Sequence, residues 1–301
     1  MWFAPPPSLP TRVVTRLPDR FRKPTRTEWS DINRAGHTVD AAFEGPCFDP
    51  QGNLFIVDIP YGRIFRIDGG RMNDAGWDLV TQYDGWPNGM KVHPDGKLIV
   101  ADYRNGIMRI DPSTGEVTRH LRTILTEGFK GPNDLTLHPD GSILFTDQGQ
   151  TGLHDPSGRV WRVHPDGRLD CLIHNGPSPN GLVLNKAKTH LYVGMSRSAQ
   201  VWRFLLRDDA TVTKAQCFTQ MPGGTNGPDG LVVDQYDRLF ICDPGHGSVW
   251  VLNAIAEPCL RIVSCAGRTI TNCAFAADGR TLFITDSETS SILACEVPPP
   301  A

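Results

Sequence analysis

No uncharged apolar run in this sequence approaches the roughly 18 residues a spanning helix needs, which excludes a helical membrane protein. None of its eight cysteines forms a C-x-x-C pair, and none has a histidine couple at ligand spacing, so a zinc module or a stapled mini-domain is not expected. Most of them lie in apolar, strand-like stretches such as Phe240-Ile-Cys-Asp243, where a thiol packs as a small hydrophobe. Reduced, buried cysteine and a cytoplasmic setting are therefore expected. There is no excess of one charge. Thirty Lys and Arg stand against 33 Asp and Glu, spread along the chain, which leaves no footprint for nucleic acid or an anionic membrane. The start, Met-Trp-Phe-Ala-Pro-Pro-Pro, lacks a basic n-region and an apolar h-region and is not read as a secretory signal. No G-x-S-x-G elbow is present, which removes the usual serine-hydrolase pattern.

Turn formers are plentiful: 30 glycines and 25 prolines in 301 residues point to many short strands rather than long helices. Six segments share one pattern, a turn, a hydrophobic strand ending near an Asp, a second turn and another strand. They begin at Phe48, Val92, Leu137, Leu184, Val233 and Phe275, a spacing of about 40 to 50 residues, the period of a four-stranded propeller blade. Fourth strands are visible at Trp77, Glu116 and Leu260. The fold expected is all-β, a six-bladed β-propeller of four-stranded antiparallel blades occupying residues 41–301.

The sixth repeat stops after its third strand, at Val297. An open edge invites aggregation, so the missing strand is expected from the N-terminal arm, residues 1–40, with Thr11-Arg-Val-Val-Thr-Arg16 as the β-like candidate. The basic residues between Arg12 and Arg26 then read as a solvated arm with a purely structural task. His93, His138 and His164 share a His-Pro-Asp-Gly turn and are expected on hairpins away from the axis, and His246 on an exposed loop.

Innermost propeller strands line the central channel, so equivalent positions at their start should face one opening. Counting back ten residues from the residue that opens each second strand reaches Glu44, Asn88, Asn133, Asp229 and Asn272; in the fourth repeat, whose turn is one residue longer, eleven reach Asn180. Any single Pro-Asn-Gly is an ordinary turn. Six oxygen-bearing side chains in register, one of them a glutamate, are not explained that way. Two carboxylates and several amides, without thiolate or imidazole, make an oxygen-only site suited to one hard divalent ion. The ring is too wide for all six to bind it, so a subset with water is expected. Calcium tolerates that geometry best; magnesium, manganese or zinc are alternatives.

At these same residues the chain resembles the gluconolactonase / SMP-30 / regucalcin family. The motifs are Glu44-Gly-Pro, Asp58-Ile-Pro-Tyr-Gly-Arg-Ile, Pro132-Asn-Asp-Leu, Phe145-Thr-Asp, Ser178-Pro-Asn-Gly-Leu and Gly227-Pro-Asp-Gly-Leu. The resemblance implies a metal held by Glu44, Asn180 and Asp229, with Asn133 joining the metal or the substrate. Two departures stand out. The sugar-binding arginine of the animal branch is replaced by Gly131, and blade four carries Gly194 where other blades carry Asp. The activity implied is hydrolysis of a small-molecule lactone by a monomer or homodimer. Asp229 would activate water or attack the carbonyl, and Asn88, Asn133 and Asn272 would orient the substrate. Phosphotriester or fluorophosphate hydrolysis on the same cradle is one alternative. A non-catalytic, calcium-binding interaction propeller is another. Loops near Tyr61, Trp86, Gln148-Gly-Gln150 and Gly223–Gly227 are expected over the channel mouth.

Overall fold

Why the second strands read as unbroken apolar runs becomes clear from where their two faces go. The computed structural model describes residues 5–124 and 126–300. In blade one, Leu54–Asp58 pairs with Phe43–Phe48 on the axial side and with Arg63–Ile67 outward, and Trp77–Gln82 completes the antiparallel sheet. Leu54 and Ile56 pack toward blade six, while Phe55 and Val57 pack toward blade two. In blade two, Leu98 and Val100 face back to blade one, and Ile99 and Ala101 face blade three. Each sheet is thus sandwiched between neighbours, so both faces must be apolar rather than alternate. The buried hydrophobic residues form six clusters, one at each interface between adjacent blades, the last joining blade six to blade one. The protein is a six-bladed β-propeller.

Ring closure follows the expected route and adds a second contact. Arg12–Arg16 pairs antiparallel with Ser291–Glu296 and completes blade six. Just before it, Ser8–Pro10 pairs parallel with the outer strand Pro258–Val263 of blade five, a fifth strand there that the repeat pattern does not announce. Thr11 links the two: its N–H donates to Val263 O at 3.0 Å and its Oγ1 accepts from Cys265 N at 3.0 Å. The indole Nε1 of buried Trp77 in blade one donates to Thr15 Oγ1 at 2.9 Å, so one segment ties together blades five, six and one.

Three of the aspartates that end the second strands are clasps. Asp58, Asp102, Asp147, Asp243 and Asp286 are fully buried. Asp58 accepts from Ala42 N at 2.9 Å, Asp147 from Gly131 N at 2.8 Å and Asp286 from Gly267 N at 2.7 Å, each pinning the segment that leads into an innermost strand. In blade four the clasp position is Met195, not Gly194. Met195 pairs with Pro179 as Asp147 pairs with Pro132, so Gly194 lies one residue short of that position.

All eight cysteines are free thiols. Cys47, Cys242, Cys273 and Cys295 are buried as expected, but Cys171, Cys217 and Cys265 are exposed on outer strands or turns. Among the described residues no helix is long and apolar enough to cross a membrane.

Candidate active site

Five of the six innermost strands carry one extra residue against their partner at the ring position. Between Glu44 and Cys47 three steps face two on the paired strand, and the same holds between Pro87 and Met90, Pro132 and Leu135, Pro179 and Leu182, and Ile270 and Cys273. Such bulges bend a strand and re-aim a side chain, here toward the axis. In blade five Asp229 precedes the short strand Leu231–Val233 and is held by its own N–H donating to Cys242 O at 2.9 Å. The ring residues thus lie within or just before the axial strands.

These side chains meet at the floor of a cavity of about 650 Å³ on one face of the propeller. Glu44, Asn88, Asn133, Asn180 and Asp229 line it. Asn272 does not: it is buried beneath, donating from Nδ2 to Glu44 Oε2 at 2.8 Å, while its Oδ1 accepts from Cys273 N at 2.8 Å. Glu44 Oε2 also accepts from Gly45 N at 2.7 Å; Oε1 makes no hydrogen bond among the described residues. Asn133 spends its Nδ2 on Gln148 Oε1 at 2.9 Å, and Gln148 is oriented by donating to Ser178 Oγ at 3.0 Å. That arrangement leaves the Asn133 carbonyl oxygen free. The sequence pattern contained Gln148 only as a mouth loop; its role in fixing Asn133 depends on a contact 15 residues away.

The electrostatics of the floor are those of acids held without enough water. Burial pushes the Glu44 carboxyl up to about 7, with the charge of Asp134 adding to the rise. The Gly45 N–H, the Asn272 amide and the Lys91 charge pull the other way. Asp229 is driven well above the usual carboxylate range by burial and then by Glu44 and Asp134, with Asn180 and Arg197 opposing. Asp134 is the third acid of this field, and it follows Asn133 directly in the sequence. It is 3 % exposed, and burial raises its pKa against the charge of Lys91. At the matching position blades one, two, four and five have Gly45, Gly89, Gly181 and Gly230. A Cβ at Gly89 would sit 2.2 Å from Asp134 Oδ1, so that glycine is the space the aspartate uses.

Among the described residues no three His, Cys, Asp or Glu side chains form a metal cluster. The donors that could hold a cation are therefore two carboxylates, Glu44 and Asp229, supplemented by the amide oxygens of Asn133 and Asn180. That set is hard and oxygen-only, and it fits calcium better than a metal that prefers nitrogen or sulfur.

The cavity walls are irregular. Trp86 and Tyr103 stand with ring centroids 6.1 Å apart, and Gln150 Nε2 donates to the Tyr103 hydroxyl at 2.8 Å. The Tyr103 ring fills the space beside Gly131: a Cβ there would lie 2.6 Å from it, so no side chain fits where the animal branch has arginine. Trp86, Gln148, Gln150 and Gly227 do line the cavity, but Tyr61 does not. Its hydroxyl is 2.6 Å from both Lys23 O and Val39 O and anchors the N-terminal segment instead. Nor is that segment only a latch. Helix α1 (Glu28–Asn33), started by a reciprocal Thr27–Ser30 capping box, brings Trp29, Asn33 and the following Arg34 to the cavity mouth. His154 and Arg197 line the wall of blades three and four, while His246 is half-buried, 3.1 Å from Asp243, and does not line the cavity.

Comparison with known proteins agrees with this architecture. The family described as SMP-30/Gluconolactonase/LRE-like region matches residues 43–288. A gluconolactonase of Zymomonas mobilis is 33% identical, the match covering 81% of this chain and 76% of that protein. Among solved structures, a gluconolactonase from Xanthomonas campestris superposes with a TM-score of 0.75 at 24% identity, over 97% of this chain and 99% of that one. A calcium-binding protein, regucalcin, from Agrobacterium tumefaciens does so with a TM-score of 0.75 at 20% identity, over 97% and 95%. The chain belongs to the SMP-30/gluconolactonase/LRE-like family.

Proposed function

We propose that this protein hydrolyses lactones at the axial cavity, and that the reaction depends on a divalent metal, calcium first among the candidates. The observation that carries the reading is the convergence of Glu44, Asn133, Asn180 and Asp229 on the floor of a cavity large enough for a sugar-sized ring. Family membership supports the same activity. Relatives similar in sequence include a gluconolactonase and lactonases, and a structural neighbour is a calcium-binding protein. A propeller used only as a scaffold has no need to bury two acids at the base of an open cavity, where burial raises both and the charge of Glu44 raises Asp229 further.

Glu44, Asn180 and Asp229, with Asn133, would hold the metal. When bound, a hard dication supplies Lewis-acid polarisation of the lactone carbonyl. The remaining work falls to side chains. Asp229, which lines the cavity, takes the proton from the attacking water. Asn88, facing the cavity, presents its amide to a substrate oxygen. Asn272 acts one step back: by donating to Glu44 Oε2 it fixes which carboxylate oxygen is free. Trp86 and Tyr103 offer apolar faces to the C–H side of a hydroxylated ring.

The test is proton release from a panel of five- and six-membered sugar lactones, measured with and without chelator. Turnover that disappears on chelation and returns with calcium is expected. Turnover of none of them, or of a phosphotriester alone, overturns the proposal.

A further inference from the structure

The charged residues lining the cavity are sorted by height. The two acids, Glu44 and Asp229, lie in the floor, whereas the walls and mouth carry Arg34, His154 and Arg197 and, among the described residues, no acid. Arg197 occupies the middle of the short turn Ser196–Ser198, which is held firmly. Ser196 Oγ donates to Pro228 O at 2.7 Å and Ser196 N to Ser178 O at 3.0 Å, and both acceptors lie within two residues of ring positions. The turn therefore sets the backbone of Arg197 at a defined place relative to Asn180 and Asp229, and its exposed side chain lines the cavity. Its only hydrogen bond among the described residues is a long one, 3.3 Å, from Nη1 to Thr225 O. His154 is beside it: a Cβ built on Gly152 would lie 3.2 Å from His154 Nδ1 and 3.5 Å from Arg197 Cγ. Across the mouth, Arg34 rests over the Trp29 ring at 5.7 Å.

Other arginines at this end of the blades are differently employed. Arg63 is spent on Asp58, Arg104 on Asp84 and Arg159 on Asp147. Arg34 and Arg197 have no acidic partner among the described residues. An arginine kept in a cavity wall by its backbone, with most of its donors unspent, is suited to a planar or tetrahedral oxyanion brought by a ligand.

We propose that the lactone this site takes carries a second, anionic group away from the ring ester, a carboxylate or a phosphate, bound by Arg197 together with His154. The inference rests on the lactonase reading and narrows it. With the ring ester over the axial floor, the charged substituent points to the wall of blades three and four, away from the aromatic wall of blade two. Attraction to that wall would also favour capture of an anionic substrate over a neutral one at low salt.

The experiment measures kcat/KM on D-glucono-1,5-lactone, D-glucaro-1,4-lactone and 6-phospho-D-glucono-1,5-lactone for the wild type, Arg197→Gln, Arg197→Lys and the distant surface control Arg280→Gln. The wild type is expected to prefer at least one anionic lactone, and comparison of the two distinguishes carboxylate from phosphate. Arg197→Gln should cut the anionic-to-neutral ratio on the order of 10- to 100-fold, Arg197→Lys should keep part of it, and Arg280→Gln should leave it alone. A wild-type preference for the neutral lactone, or a ratio unmoved by Arg197→Gln, overturns the inference and leaves lactone hydrolysis standing. Calorimetric binding of the glucaro- and glucono-lactones to Asp229→Asn, with and without Arg197→Gln, reads the anion site even if no lactone is turned over. Equal binding of the two lactones there also overturns it.

Discussion

The floor and the mouth of the axial cavity are built by opposite means. The floor is repetitive: the same strand position in six blades, five times with the same one-residue bulge, delivers Glu44, Asn88, Asn133, Asn180, Asp229 and Asn272 toward one axis. The mouth is made of unlike pieces. A six-residue helix from the N-terminal segment, an aromatic pair in blade two, a glycine-rich loop in blade three and a tight turn in blade four meet there. What repeats can be held rigidly by neighbours on both sides, which suits reacting groups and a metal. What does not repeat can be changed without disturbing the inter-blade cores, which suits selection among substrates.

That division is open to direct tests. Asp229→Asn should lower kcat/KM by about 10³-fold on every lactone tried, with an unchanged melting curve once metal is supplied. Loss confined to one substrate would place Asp229 with the mouth rather than the floor. Glu44→Gln removes one of two carboxylates and should weaken calcium binding on the order of 100-fold by calorimetry. Unaltered affinity would mean that the ion sits elsewhere.

The N-terminal segment belongs to both regions and can be divided. Thr15→Val leaves the buried Trp77 N–H without its acceptor, so thermal or denaturant unfolding should show a loss of about 1–3 kcal/mol with substrate selectivity intact.

Titration gives a graded test of the floor. The Glu44 pKa is raised to about 7 and that of Asp58 to about 6. For acids shifted upward, the metal-free fold has the full contribution below the ordinary carboxyl range and loses it as pH rises toward those values. The metal-free protein should therefore melt lower at pH 8 than at pH 5, and stabilisation by added calcium should grow between pH 6 and pH 8 as Glu44 ionises. A metal-free protein that is more stable at pH 8 contradicts the assignment. The smallest effect is expected at the mouth: Trp29→Ala should raise KM roughly threefold to tenfold with kcat nearly constant. A fall in kcat instead would mean that helix α1 supports the floor.

The repeat period and the apolar second strands make the propeller readable because each is a local pattern repeated six times, and the N-terminal closure is readable because the sixth repeat lacks the strand the others supply. The ring of polar residues is readable from the same repetition. Asp134 is not, although it adjoins Asn133. Its burial against Lys91 arises only when blades two and three meet, and nothing in Asn-Asp distinguishes that from a turn. The parallel strand Ser8–Pro10 has no sequence signature, because three residues ending in proline carry almost no strand signal. The clasp position of blade four shifted from Gly194 to Met195 because only pairing shows which residue faces the start of the axial strand.

By itself, the sequence determined the blade count, the closure by Arg12–Arg16 and the oxygen-only character of the axial ring. All of these follow from residue type and period. Only the tertiary structure decided that Asn272 serves Glu44 rather than the cavity, that Tyr103 fills the place beside Gly131, and that Trp29, Arg34, His154 and Arg197 share one mouth. Those relations join residues from different blades and from the far end of the chain, and no local periodicity encodes where a loop comes to rest once six sheets have packed around an axis.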